Sequence, residues 1–121
     1  MQYRETKVNG EKFNLGQTVI TRGALAHCED NSIDYLEFLM RHSVGDFGDV
    51  GKLTSVRLNE NELNFGALVT ANDLKLNALA IKTGTGMIMS VYEIPRCGTI
   101  WIQTILAESE TYTTILLPSE Y

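Results

Sequence analysis

Three runs of apolar and β-branched residues in the last third of the chain constrain its fold most strongly. The first turn between them, Pro95-Arg96-Cys97-Gly98, has residues typical of a tight turn. The second turn is the polar Glu108-Ser109-Glu110, and Pro118 ends the last run. The pattern predicts a three-stranded antiparallel meander over about residues 86–117. The predicted strands are residues 87–94, 99–106 and 111–117.

Alternation along the second run divides its side chains between the two faces of the predicted sheet. One face carries Trp101, Gln103 and Ile105, and the other carries Ile100, Ile102 and Thr104. Because both sets are largely apolar, we expect both faces to be covered over part of their area. A face left exposed for a partner is the alternative.

Two main helices are predicted from helical spacing and end signals. Ser32 is a candidate N-cap for a helix over about 33–43, and Gly45 is placed to end that helix. The second helix covers about 71–82 and is ended by Gly84.

A short β-branched run from Gln17 to Thr21 predicts an N-terminal strand, and residues 23–28 can form one or two helical turns. Helices placed before a run of strands indicate the α+β class. We therefore expect the two main helices to pack on the sheet.

A length of 121 residues predicts a single domain over 1–121. Residues 1–16 are polar, and we expect them to fray or to pair loosely as a hairpin around Asn9-Gly10. Residues 52–69 alternate only in part. A hairpin turning at 59–62 is the favoured prediction for them, and a helix is the alternative.

The charge balance disfavours direct binding to nucleic acid. The chain has ten Lys and Arg against fifteen Asp and Glu, a net charge of −5. Proteins gain affinity for nucleic acid by neutralising phosphates with basic side chains. The acidity favours solubility, with docking onto a basic partner surface as the alternative.

The sequence also predicts a compartment. Its first residues lack the apolar stretch of a signal peptide, and its apolar runs are too short to cross a bilayer. Cys28 and Cys97 come with no other mark of a secreted scaffold. We expect a soluble cytoplasmic protein with reduced thiols and no membrane contact.

The segment from Arg41 to Gly51 holds the candidate site. A histidine there, His42, could serve as general base or metal ligand, with Asp46 or Asp49 orienting it or sharing a cation. In the structural interpretation the helix dipole stabilises protonated His42, and Asp46 turns the following loop. The structural interpretation is favoured, because three ligands are too few for a metal and their spacing matches no metal motif.

A second candidate residue, Asn77, lies one helical turn after Asp73. With Ser90 and Tyr92 these two residues could line a cleft beside the loop at 42–49. The favoured alternative is structural: Asp73 caps its helix, and Asn77 hydrogen-bonds the loop.

Neither a metal nor a cofactor is predicted. Zinc at His27, Cys28 and Cys97 would need paired ligands at short spacing, and the chain has no C-x-x-C. Gly84-Thr85-Gly86 precedes a strand instead of opening a helix, so we interpret it as a helix end and turn rather than a phosphate loop.

Over about residues 13–121 the chain resembles small bacterial proteins of a "plasmid-related protein" family. The matching residues are Arg41-His42, Gly45-Asp46-Phe47-Gly48, Asp73 with Asn77, Ser90-Val91-Tyr92, Trp101-Ile102 and the last nine residues, Thr113 to Tyr121. This chain departs from the family by about twenty extra residues between Asp49 and Asn72, and by Phe47 where the family has Trp. The resemblance implies carriage on mobile elements and no particular catalytic activity.

These observations predict a non-enzymatic plasmid- or phage-associated accessory protein that acts by binding another protein. The alternative is a small hydrolase or nuclease that uses His42 and Asp46 for acid–base chemistry, helped by Asp49 or Asn77. A third hypothesis is a homodimer formed through an edge strand or an apolar helix face.

Overall fold

A computed structural model describes residues 10–49 and 71–121, except the side chains of 71–73. The predicted α+β class is confirmed. In chain order the elements are β1 (Gln17–Ile20), α1 (Arg22–Asp30), α2 (Tyr35–Ser43), α3 (Ala71–Thr83), β2 (Gly86–Ile94), β3 (Gly98–Leu106), β4 (Tyr112–Leu116) and a 3-10 turn (Pro118–Glu120).

The predicted meander is present, because β2 pairs antiparallel with β3, and β3 pairs antiparallel with β4. The whole sheet is mixed rather than antiparallel, because the N-terminal strand joins it in parallel. The strand order is β1-β4-β3-β2, and β1 pairs in parallel with β4. Most of the chain lies between β1 and β4, so no tight hairpin turn obliges this pair to be antiparallel.

The first two helices differ from their predicted bounds. Residues 22–30 form a full helix, α1, because the Thr21 hydroxyl accepts a hydrogen bond from the Ala24 amide at 3.1 Å. Helix α2 starts at Tyr35, and its N-cap is Asp34 rather than the predicted Ser32. A carboxylate oxygen of Asp34 accepts from the Leu36 amide at 3.1 Å.

The predicted helix ends are confirmed. Gly45 follows α2 with φ +89°, and its amide donates to the His42 carbonyl. Gly84 follows α3 with φ +77°, and its amide donates to the Ala80 carbonyl at 2.8 Å. Both glycines adopt the left-handed conformation that commonly ends a helix.

The strand registers divide the sheet into two faces, as the alternation in β3 predicts. The inner face packs Tyr92, Ile100, Ile102 and Ile115 against Ala24 and Cys28 of α1 and against partly buried residues of α2. The outer face includes the second buried cluster, Met89, Val91, Trp101 and Leu116. The outer face consists of Gln17, Val19, Met87, Met89, Val91, Glu93, Thr99, Trp101, Gln103, Ile105, Tyr112, Thr114 and Leu116.

Residues 10–16 do not fray, contrary to the prediction for 1–16. The Lys12 amide donates to the Ser43 carbonyl at 2.8 Å, and the Phe13 ring is buried. An apolar ring in the core anchors a segment whose polar composition alone suggested a loose end. Residues 1–9, the turn at Asn9-Gly10 and the segment 52–69 lie outside the described residues.

Candidate functional site

The end of helix α2 places His42 in the core, against the inner face of the sheet. Its side chain is fully buried, and the Phe13 ring packs edge-on against it at 5.1 Å between ring centres. Nδ1 lies 2.5 Å from Ser90 Oγ, and Nε2 lies 2.9 Å from Thr104 Oγ1. Both ring nitrogens are therefore engaged by hydroxyls of neighbouring strands.

A backbone carbonyl at the end of this network assigns the direction of every hydrogen bond in it. The Thr113 hydroxyl donates to the Leu15 carbonyl at 2.6 Å, and a carbonyl oxygen can only accept. Thr113 must then accept from Thr104, 2.7 Å away. Thr104 in turn must accept from Nε2–H of His42. The network thus requires a proton on Nε2, and in the neutral ring Nδ1 then accepts from the Ser90 hydroxyl.

Burial lowers the pKa of His42 to about 3, because the core does not solvate an imidazolium. The expectation that the helix dipole stabilises a protonated His42 is therefore wrong. A general base must reach the proton that it removes. His42 has no exposed surface and both nitrogens are bonded, so the geometry favours a structural role.

The carboxylate of Asp46 forms an exposed ion pair and turns the loop, as the structural interpretation predicts. Arg41 Nε lies 2.7 Å from Asp46 Oδ2, and the Gly48 amide donates to Asp46 Oδ1 at 3.1 Å. The hydrogen bond that Arg41 donates to Asp46 raises the pKa of the Arg41 guanidinium. The same guanidinium lies 4.8 Å from the centre of the Tyr92 ring.

The phenol of Tyr92 connects this loop to β2. Its hydroxyl donates to the Asp46 carbonyl at 2.7 Å, and burial raises the pKa of the phenol above its ordinary value. Tyr92 and Ser90 do lie beside the loop, as predicted. Their exposed fractions are 1% and 0%, so both belong to the core rather than to the wall of an open cleft.

The loop then pairs with the edge of β2 that is not paired with β3. Gly48 forms a one-residue parallel bridge with Val91. The Asp49 amide donates to the Val91 carbonyl at 2.6 Å, and Asp49 Oδ2 accepts from the Glu93 amide at 2.8 Å. Gly48 has φ +66°, and a Cβ there would lie 2.3 Å from the Val91 oxygen. Only glycine allows so close an approach.

Helix α3 places Asn77 on the same edge of β2, where its side chain is 1% exposed. Its Nδ2 donates to the Met89 carbonyl at 2.8 Å, and its Oδ1 accepts from the Met89 amide at 2.9 Å. The amide thus pairs with Met89 as a neighbouring strand would. The prediction that Asn77 bonds the loop is wrong, because α3 lies along β2 itself. The Asp73 side chain, predicted to cap this helix, lies outside the described residues.

The four candidate residues converge on one strand but not on one cleft. His42 bonds β2 from the inner face of the sheet, and the Asp46 carbonyl accepts from Tyr92. Asp49 and Asn77 bond the edge of β2 that is not paired with β3. Each contact satisfies a backbone or side-chain polar group of β2. Together these residues tie two helices and a loop to the strand.

Sequence reasoning did not identify the contact made by Glu120. Glu120 Oε1 accepts from the Thr21 hydroxyl at 2.6 Å and from the Leu117 amide at 2.8 Å, and the Thr21 bond is the main reason that the pKa of Glu120 is lowered. Next to it the Tyr121 ring packs edge-on against Trp101 at 5.1 Å. Glu120 thus bonds the N-cap residue of α1, and Tyr121 packs against β3.

The cysteines and His27 show no metal geometry. Cys28 and Cys97 are free thiols, and burial raises the pKa of Cys28. His27 Nε2 contacts the carbonyl oxygen of Cys97 rather than its sulfur. In residues 10–49 and 71–121 no group of three or more His, Cys, Asp or Glu side chains is placed to hold a metal ion.

An apolar surface crosses the outer face at one end of the sheet. A groove of about 420 Å³ lies between α3 and β2, and its lining includes Leu76, Leu79 and Met87. Met87 pairs with Ile105, which pairs with Tyr112, so the surface continues across the strands. Leu76, Leu79 and Tyr112 are 54%, 55% and 44% exposed. We call these five residues the apolar strip.

No family model, curated protein or solved structure matches the chain. The helices in the described part of the chain are too short or too polar to cross a membrane.

Proposed function

We propose that the chain is a non-enzymatic accessory protein of a bacterial plasmid or phage, and that it acts in the cytoplasm by binding another protein through the apolar strip. The observation that carries this proposal is the exposure of the apolar strip. Three of its residues, Leu76, Leu79 and Tyr112, are 54%, 55% and 44% exposed, and no residue of the strip carries a charge. Contiguous exposed apolar surface on a soluble domain marks interaction sites.

The free energy that a partner would gain by burying the apolar strip supports a binding role for it. Complete burial of a leucine side chain contributes about 2 kcal/mol, and Leu76 and Leu79 are each about half exposed. A partner that covers them gains roughly 1 kcal/mol from each side chain. Met87, Ile105 and Tyr112 extend the same contact without the cost of burying a charge.

The placement of the candidate residues supports the non-enzymatic part of the proposal. His42 and Asn77 are buried, and their polar atoms are engaged by β2 or by its neighbours. Asp46 is engaged by Arg41 and Gly48. All three act as structural ties in this arrangement.

The test compares two charged double variants in affinity capture from a bacterial lysate. Leu76→Lys with Leu79→Lys places two cations in the strip. Leu36→Lys with Met40→Lys makes the same chemical change at positions that are 54% and 53% exposed on α2. Far-UV circular dichroism checks that both variants fold.

We expect the wild type and the α2 variant to retain the same partner, and the strip variant to lose it. Capture of no protein by the wild type in repeated trials contradicts a binding role. Equal capture by the strip variant shows that the partner binds elsewhere on the molecule.

A further inference from the structure

The two edges of the sheet differ in how their backbone groups are used. At the β2 edge, Asn77 bonds Met89, and the loop at 47–49 bonds Val91 and Glu93. This edge is closed to a further strand at those residues. The other edge is β1, which has only four residues.

Strand β1 directs two of its residues away from the sheet. The Gln17 amide donates to the Thr111 carbonyl at 3.1 Å, and the Thr21 amide donates to the Ile115 carbonyl at 3.0 Å. Because backbone direction alternates along a strand, the amides and carbonyls of Thr18 and Ile20 point outward. Among the described residues no hydrogen bond uses these four backbone groups.

Within residues 10–49 and 71–121 the strand also lacks the usual protection of an edge. Natural sheets block edge strands with charged side chains, proline, bulges or a covering element. The β1 sequence, Gln-Thr-Val-Ile, has no charge and no proline, and it is paired with β4 without a bulge. Val19, which lies between the two outward residues, is 47% exposed on the outer face.

We propose that β1 pairs antiparallel with β1 of a second copy of this chain, with Val19 on the two-fold axis. In this register Thr18 lies opposite Ile20 of the second copy, and Ile20 lies opposite Thr18 of the second copy. Each such pair exchanges two backbone hydrogen bonds, as hydrogen-bonded antiparallel pairs do. The four outward groups of each copy are thereby satisfied, and the two sheets become one continuous eight-stranded sheet.

A second copy of β1 matches this edge in length, because it also presents two outward residues, one on each side of Val19. A two-fold axis through Val19 brings the two sets into register. The same axis places Gln17 opposite Thr21, so no like charges face each other along β1. Val19 meets its own copy on the outer face and covers an exposed apolar side chain.

The contact is short compared with a stable dimer interface, which buries about 800 Å² of each partner. We therefore expect weak, reversible association rather than a permanent dimer. The proposal is independent of the apolar strip, because it uses the backbone of β1 and the side chain of Val19.

Sedimentation velocity over about 10–300 µM protein tests the pairing. The wild type should shift from the monomer mass of 13.5 kDa towards twice that mass as concentration rises. Val19→Lys places two cations face to face at the axis and should weaken association at least about tenfold. The matched control, Gln17→Lys, adds the same charge on the same face of the same strand and should associate within about threefold of the wild type.

Three results overturn the pairing: a monomeric wild type over the whole range, a Val19→Lys variant that associates like the wild type, and an association lost only in the Leu76→Lys, Leu79→Lys variant. The last result assigns the dimer to the apolar strip. Partner capture by a Val19→Lys variant reports on the proposed function alone, so the two proposals can fail separately.

Discussion

Acidification should destabilise the protein specifically through His42. The pKa of this side chain is about 3 in the folded protein and about 6.5 in an unfolded chain. Because the folded value is the lower one, the unfolded chain takes up the proton first. The contribution of neutral His42 is complete above about pH 6.5 and is lost progressively as the pH falls towards 3.

The size of the loss follows from the difference between these two pKa values. Each pH unit below 6.5 lowers the free energy of unfolding by about 1.4 kcal/mol. This free energy should therefore be about 2 kcal/mol lower at pH 5.0 than at pH 7.5. Among the described groups, the Ser90 and Thr104 hydroxyls bond the His42 imidazole, and the Phe13 ring packs against it. None of them carries a charge that would stabilise an imidazolium.

Urea unfolding at pH 7.5 and pH 5.0 measures this loss, with Trp101 fluorescence and far-UV circular dichroism as probes. His42→Gln is the matched variant, because it keeps hydrogen-bonding capacity but does not titrate. The wild type should lose about 2 kcal/mol more than the variant between the two pH values, or about 1 M in urea midpoint. Equal losses within about 0.5 kcal/mol would refute a buried neutral histidine.

Three further substitutions test the ties to β2 by the same urea measurement at pH 7.5. Asn77→Ala leaves two buried backbone groups without partners and should cost about 2–4 kcal/mol, whereas Lys75→Ala on the exposed side of α3 should cost under about 0.5. Gly48→Ala places a Cβ against the strand at positive φ and should cost at least about 1–2 kcal/mol; a neutral effect would contradict the close bridge. Asp46→Asn removes the exposed ion pair with Arg41 but keeps an oxygen that can accept from the Gly48 amide, so it should cost less than about 1 kcal/mol. A larger loss would show that the pair stabilises the loop more than its exposure indicates.

Local signals in the sequence were sufficient for much of the fold. The meander followed from β-branched runs and the turn at 95–98, where the Cys97 amide donates to the Ile94 carbonyl. Gly45 and Gly84 ended helices as expected, because a glycine after a helical pattern needs no distant partner to adopt positive φ.

Long-range contacts were not predictable in the same way. The parallel pairing of β1 depends on which strand edge is free after the meander closes, and no residue of β1 indicates that edge. Glu120 and Thr21 are 99 positions apart, and a single sequence contains no signal that links them. Helical spacing singles out Asn77, but the partner of its side chain depends on how α3 lies against β2.

The expectation of a protonated His42 is wrong for a similar reason, because it depends on a long-range contact. A histidine in the last turn of a helix is ordinarily at the surface, where the helix dipole favours its charged form. Here the last turn of α2 faces the sheet, and hydroxyls from β2 and β3 take both ring nitrogens. Burial then outweighs the dipole.

A measurement of the His42 tautomer tests most directly whether the candidate site residues are structural. Long-range ¹H–¹⁵N correlation spectra of the imidazole ring, recorded from about pH 7.5 to pH 4.5, distinguish its neutral and charged forms. We predict a neutral ring with the proton on Nε2 throughout that range. A proton on Nδ1, or a titration centred near pH 6.5, would contradict the buried network and restore His42 as a candidate for chemistry.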